Sequence, residues 1–249
     1  MRIIKIIFFI ILVAFFLMPT KSFSQTINLA DYNSWSAGVK FGILPFYGDV
    51  RQAKYSSDNK YKKTNTGFTF EGIKYFNQVF GTRADFLFGG LSGSSPNLNL
   101  HFQSKIKEFT LSGIVNLNNL ISFYPKKEKV LNTYIYAGVG LVNFRSKLYS
   151  YDENLFIGGF GCDSLGVSKT KSRTEMVFPF GIGIKYKADP KVDIGLEMTL
   201  HLTNTDKLDA LMVNKSYMDR YSYAAISITY KFGNKKEFVD WVNPAQDTE

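Results

Sequence analysis

Apolar and polar residues alternate with a period of two along much of this chain. From Val192 to Leu202 the even positions are Val, Ile, Leu, Met, Leu and Leu, and the odd positions are Asp, Gly, Glu, Thr and His. Met176–Tyr186 repeats the pattern, with Met, Phe, Phe, Ile, Ile and Tyr on even positions. Tyr221–Phe232 gathers Ala224, Ile226, Ile228, Tyr230 and Phe232 on one face. A period of two is the signature of a strand with unlike faces. Five further segments fit it less regularly: Trp35–Tyr47, Gly67–Tyr75, Val79–Leu91, Lys105–Leu117 and Asn132–Leu148. In the last of these, Tyr134 and Tyr136 compete with Ile135, Ala137, Val139 and Leu141 for the apolar face. The sum is about eight strands of about ten residues each.

The connections alternate in length. Residues 76–78 and 188–191 read as short turns, while 50–66, 92–104, 149–173 and 203–219 read as long polar loops. Short turns at one end and long loops at the other fit an antiparallel up-and-down barrel of the outer-membrane kind. Residues 118–131, with Pro125, make a longer turn than that scheme expects. Pro179 lies inside a strong strand, and its missing N–H predicts a bulge or a break in the ladder there.

The first 24 residues stand apart. Arg2 and Lys5 precede an unbroken apolar run from Ile6 to Met18, followed by Pro19 and by Ser22 and Ser24 before Gln25. That order reads as a signal peptide, and the run is too short for a membrane span of about 20 residues. Its removal takes away Arg2, Lys5 and Lys21, so the formal net charge of +9 falls to +6. The expected division is a signal peptide over 1–24, a barrel over 33–233 and a periplasmic tail over 234–249.

Composition narrows the chemistry. One Cys precludes an intramolecular disulfide and, placed at Cys162, cannot carry a lipid at the cleavage site. With two His, no His-rich metal centre is expected, and no cofactor is called for. Aromatic residues at 16% suit strands rather than disorder. Arg51, Lys54, Lys60, Lys62 and Lys63 form a basic run whose plain reading is a solvated loop and whose sharper one is attraction to acidic polymers or phosphorylated glycolipids. Nucleic acid is not an expected partner of an exported chain.

A secreted β-sandwich would also alternate, burying its apolar face and wetting the other. The apolar faces here carry almost no charge. Aromatics also collect near strand ends: Trp35, Tyr75, Tyr186, Tyr230 and Phe232 at the short-turn end, Phe46, Tyr47, Tyr221 and Tyr223 at the other. Such girdles belong where rings meet lipid headgroups. The fold expected is all-β, a transmembrane antiparallel barrel.

The chain resembles the N-terminal barrel of outer membrane protein A-type proteins of the Bacteroidetes kind. The stretches that carry the resemblance are WSAGVKFGILPFYGDV (35–50), FGTRADFLFGGLSG (80–93), LNTYIYAGVGL (131–141), FPFGIGIKY (178–186) and TDKLD (205–209). FVDWVNP (238–244) is similar to the linker that in such proteins leads to a peptidoglycan-binding domain. The sequence ends at Glu249 without one, so wall tethering is not carried over. The resemblance implies an eight-stranded outer-membrane barrel of structural or accessory role.

An eight-stranded barrel has an interior just wide enough for side chains. Lys40, Glu71, Arg83, Asp85 and Glu197 should face it at similar heights and pair, since an unpaired buried charge is costly. This cluster is read as a packed ionic plug, with a narrow ion channel or a proton relay as the competing readings. His201 and Thr203, at the outer end of their strand, form a candidate rim site faintly similar to that of lipid A deacylases. There Thr203 replaces a serine, and the sequence offers no orienting carboxylate at a matching spacing. His101 reads as a loop residue without partners. Cys162, in the Gly-rich stretch 158–166, reads as a free thiol at a loop tip. Trp241 reads as an anchor for a partner or for the inner leaflet. The expectation is a non-enzymatic, monomeric outer-membrane barrel, structural or accessory. Its partners would be outer-membrane lipid and other outer-membrane or periplasmic proteins. Lipid A or phospholipid hydrolysis at the outer rim is the alternative activity.

Overall fold

The computed structural model describes residues 35–48, 50, 65–76, 79–121, 130–166, 172–211 and 218–232. The strands are β1 (Trp35–Ile43), β2 (Phe46–Tyr47), β3 (Thr66–Tyr75), β4 (Phe80–Ser95), β5 (Leu100–Asn116), β6 (Leu131–Ser150), β7 (Phe156–Phe160), β8 (Arg173–Asp189), β9 (Val192–Thr203) and β10 (Arg220–Lys231). Eight of them run β1-β3-β4-β5-β6-β8-β9-β10, all antiparallel, and β1 pairs with β10 from Ser36↔Lys231 to Ile43↔Ala224. These eight strands therefore close on themselves into a barrel. Short β2 adds to β10 and β7 adds to β6 at the long-loop end. The signal peptide and the tail, with Trp241, lie outside the described residues, as do 51–64.

Closure assigns the two faces. Phe41, Leu196, Met198 and Ile226 point outward, each more than half exposed, while Lys40, Glu71, Arg83 and Glu197 point inward and are buried. An apolar exterior around a charged interior is the inverse of a water-soluble sandwich. Patches of this extent are rare on soluble monomers. In β6 the competition resolves in favour of Ile135, Val139 and Leu141 outside, with Tyr134 and Tyr136 inside.

Several local expectations change. The single strand expected over 35–47 is interrupted at Leu44 and Pro45. Leu44 turns into the core, and Phe46–Tyr47 pairs only with β10. The long loop expected over 92–104 is instead a tight hairpin, with β4 and β5 paired out to Ser95↔Leu100. A one-turn 3₁₀ helix, Pro96–Leu98, closes it, with Asn99 at φ 52°, a left-handed conformation that Asn tolerates. At the start of the 118–131 connection lies a short helix, α1 (Leu117–Ile121), from which Asn118 donates to the Leu131 carbonyl. Pro179 breaks the β6–β8 ladder between Ala137↔Phe180 and Gly140↔Val177 without changing the register.

The girdles are also smaller than expected. Tyr75, Phe46, Tyr221 and Tyr223 face the lumen and are buried. On β10, Tyr221 and Tyr223 share parity with Ser227 and Thr229, opposite to Ile226 and Ile228, so they cannot face outward. Trp35, Tyr186, Tyr230 and Phe232 at the short-turn end do face outward, as does Tyr47 at the other.

The lumen is layered. At the long-loop end an apolar cluster joins Leu44, Phe46, Leu87, Phe102, Ile106 and Phe144 to further buried residues. Leu208, from the 204–211 segment, completes it. That segment folds into the barrel mouth, where Asp219 Oδ2 accepts from the Leu208 amide at 2.8 Å and Asp209 Oδ2 from the Val50 amide at 3.1 Å. Toward the short-turn end lies a second cluster, Ile73, Tyr75, Ile114, Tyr134 and Tyr136.

Candidate functional site in the barrel lumen

Lys40 on β1, Glu71 on β3, Arg83 and Asp85 on β4 and Glu197 on β9 meet in the lumen. Arg83 grips Glu197 with both terminal nitrogens, at 2.6 and 2.7 Å, and its Nε donates to Asp85 at 2.6 Å. Lys40 Nζ donates to Asp85 at 2.8 Å and to Glu197 at 3.0 Å, and lies 3.7 Å from Glu71. Glu71 and Asp85 are direct cross-strand neighbours on the same face, a like-charge pair that is unfavourable alone. The two cations beside them reverse that sign.

The sequence alone does not single out a further member, Lys185 on β8. It donates to Glu71 Oε1 at 3.1 Å and to Thr229 at 2.9 Å. Lys40, Arg83 and Lys185 then balance Glu71, Asp85 and Glu197. The signal is present: Lys185 has the inward parity of Val177 and Gly183. Lysine at a strand end simply reads as solvated.

Neutral groups complete the hydrogen bonding. Tyr134 and Tyr136 donate to the two oxygens of Glu197 at 2.9 and 2.8 Å, and Thr229 donates to Glu71 at 2.6 Å. The Arg83 guanidinium also stacks over the Tyr136 ring, 4.0 Å from its centre. Room for the tyrosines comes from glycine. Tyr134 faces Gly183 and Tyr136 faces Gly181 across the β6–β8 ladder. A Cβ on either glycine would collide with the facing ring. Buried charges held this way gain bidentate, charge-assisted bonds that offset their desolvation.

His201 is buried in the lumen rather than at a free rim, and its environment differs from expectation. Glu108, from β5, places Oε1 2.9 Å from His201 Nδ1. Tyr221 donates to the other oxygen of Glu108, and its ring stacks on His201 with centres 4.6 Å apart. A carboxylate therefore does lie beside the imidazole, brought from a strand far earlier in the chain, where spacing along β9 could not show it, although neither ring nitrogen of His201 makes a hydrogen bond among the described residues. Thr203 is engaged elsewhere, its hydroxyl donating to the Asp219 carbonyl at 2.6 Å. His101 is likewise not a loop residue. It lies on β5, buried, and stacks on Tyr149 at 5.1 Å.

Cys162 follows β7, which takes up part of the expected Gly-rich loop. The thiol is partly buried near the Ser146 carbonyl, and burial pushes it above the usual thiol range, with Lys147 opposing the shift. Among the described residues no group of three or more His, Cys, Asp or Glu could hold a metal ion.

Residues 11–232 match the family described as outer membrane protein beta-barrel domain. No curated protein matches the chain. Among solved structures it is similar to Neisserial surface protein A, at 13% identity, covering 80% of this chain and 97% of that one with a TM-score of 0.46. It is also similar to Ail, the attachment invasion locus protein of Yersinia pestis, solved with the heparin analogue sucrose octasulfate (13% identity, 80% and 97% covered, TM-score 0.44). A third is the outer membrane protein OprG from Pseudomonas aeruginosa (12% identity, 82% and 98% covered, TM-score 0.40).

Proposed function

The chain belongs to the outer membrane protein beta-barrel domain family, and from that premise we propose that it is a non-enzymatic, monomeric barrel of the outer membrane, structural or an accessory subunit of a larger assembly. The observation that supports this most is the filled lumen. The ionic cluster around Arg83 and Glu197 lies inside the strands, and the apolar cluster capped by Leu208 lies toward the mouth. Ion passage through both layers would require breaking buried pairs and wetting an apolar layer. The outward apolar face matches a lipid surround.

The finer assignment is also part of this reading. The chain is taken as outer membrane protein A-type of the Bacteroidetes kind, exported by residues 1–24, with the 234–249 tail and Trp241 as a docking element. Among the described residues, the Glu108–His201 pair is the observation that favours hydrolysis. Against it stand the burial of His201 and the engagement of the Thr203 hydroxyl by a main-chain carbonyl.

The experiment is purification from the native outer membrane in mild detergent at native abundance, with identification of what accompanies the barrel. A reproducible companion set, lost on deletion of 234–249 or on shortening 151–172, supports an accessory subunit. A lone barrel removes that role and leaves the structural one. Single-channel currents in a planar bilayer would overturn the reading.

A further inference from the structure

The outward face of β5 and β6 changes character abruptly along its length. Near the middle it is apolar: Leu111 faces Val139 and Phe109 faces Leu141 across the ladder. The next pairs outward are Lys107↔Asn143, Lys105↔Arg145 and Gln103↔Lys147. Four cations thus stand within two strands, and successive same-face pairs are about 7 Å apart along the strand. The outward faces of β1 and β9 have no such step, remaining apolar to Ile43, Leu200 and Leu202.

Among the described residues no carboxylate pairs with Lys105, Lys107 or Arg145. Lys147 donates to the Gly166 carbonyl at 2.5 Å, and Lys107 lies 6.0 Å from the Phe88 ring. Lys105 and Arg145 are direct cross-strand partners, an arrangement that is destabilising unless an anion lies between them. Nor does β4 cover them, because Gly90 faces Lys105 and Ser92 faces Gln103. A Cβ at Gly90 would meet nothing closer than 3.7 Å.

The level of the cluster identifies the anion. It lies toward the long-loop end of the barrel, opposite the end that carries Trp35, Lys231 and the short turns. In barrels of this class that end faces the exterior. Four cations immediately above Phe86, Phe109 and Leu141 stand where outer-leaflet headgroups meet acyl chains. We propose that Lys105, Lys107, Arg145 and Lys147 form a binding site for the phosphorylated headgroups of outer-leaflet lipid, whose chains lie on the apolar residues below. The Arg145 fork suits bidentate phosphate contact, and the lysine stems can lie along the apolar wall with their ammonium groups raised.

The test titrates the full chain, folded in neutral detergent, with diphosphorylated lipid A and with lipid A stripped of both phosphates. The diphosphorylated lipid should bind about tenfold or more tightly than the stripped one, with affinity falling as salt rises. Lys105→Gln/Lys107→Gln/Arg145→Gln should lose that preference, whereas Lys74→Gln, at the opposite end, should keep it. Equal binding of the two lipids overturns the proposal without any variant being needed. So does a triple variant that folds and binds like the parent. Displacement of the lipid by an equal concentration of inorganic pyrophosphate would make this a site for free phosphate, and would also overturn it.

Discussion

Arg83 and Glu197, on strands β4 and β9 across the lumen, are joined by a two-pronged ion pair at 2.6 and 2.7 Å. Tyr134 and Tyr136 donate to the same carboxylate from β6, and Lys40 reaches it from β1. One carboxylate therefore ties together four strands that are not all neighbours. Arg83→Ala would leave Glu197 and Asp85 short of a cation. A loss of about 3–5 kcal/mol is expected, read as a lower urea midpoint on refolding into lipid. The variant should still carry no bilayer current, since the apolar layer around Phe102 and Phe144 is untouched.

Lys185 is the least conspicuous member of the same cluster. Lys185→Met should destabilise the barrel, and adding Glu71→Gln should restore part of the loss by removing the stranded charge. A double-mutant cycle should give a coupling of about 0.5–3 kcal/mol. Additive effects would show that Lys185 and Glu71 do not act on each other, despite the 3.1 Å between them.

Gly183 makes room for Tyr134. Gly183→Ala drives a Cβ into that ring, so the tyrosine must shift away from Glu197. Overpacking of this kind costs about 1–3 kcal/mol. Gly113, whose Cβ would meet nothing within 4 Å, is the comparison. Gly113→Ala should leave the unfolding midpoint nearly unchanged, and equal losses at both positions would contradict the tight fit of Tyr134 against Gly183.

How much of the fold and of the lumen is legible in the sequence depends on what sets each feature. Strand parity alone brings Lys40, Glu71, Arg83, Asp85 and Glu197 to one face. The period of two is a local property and survives in the closed sheet. Features set by distant strands are not legible. Glu108 meets His201 only because β5 and β9 lie across the lumen from one another. The 92–104 stretch is polar because both strands extend beyond the apolar belt, not because it is a loop. Tyr221 and Tyr223 look like girdle members by residue type, although their parity already points them inward.

Cys162 tests the electrostatics of the outer segment. Burial raises its pKa, so at neutral pH the thiolate fraction is smaller than for a free thiol. Alkylation by iodoacetamide on the folded protein should be slow at pH 7 and accelerate as pH rises through the elevated pKa. Lys147 acts in the opposite direction by favouring the thiolate. Lys147→Gln should therefore slow alkylation at pH 8 further, and unfolding in urea should abolish the difference. Faster reaction in the variant would show that access, not charge, controls this thiol.

The Glu108, His201 and Tyr221 group separates a structural reading from a catalytic one. Glu108 stands between the imidazole and the phenol, all three buried. If the group holds β5, β9 and β10 together, Glu108→Ala should cost about 1–3 kcal/mol by stranding two buried polar partners. His201→Ala should then cost a comparable amount, and neither variant should alter the lipid content of membranes that carry it. A catalytic group behaves differently, because removing the base abolishes turnover even where stability is kept. Release of fatty acid from lipid A or phospholipid by the folded protein, lost in His201→Gln at unchanged unfolding midpoint and retained in Thr203→Val, would establish a His-dependent hydrolase with a nucleophile other than Thr203. Absence of release from the parent protein, together with a lowered midpoint in both alanine variants, leaves the trio as a buried strut, consistent with the Thr203 hydroxyl being committed to the Asp219 carbonyl.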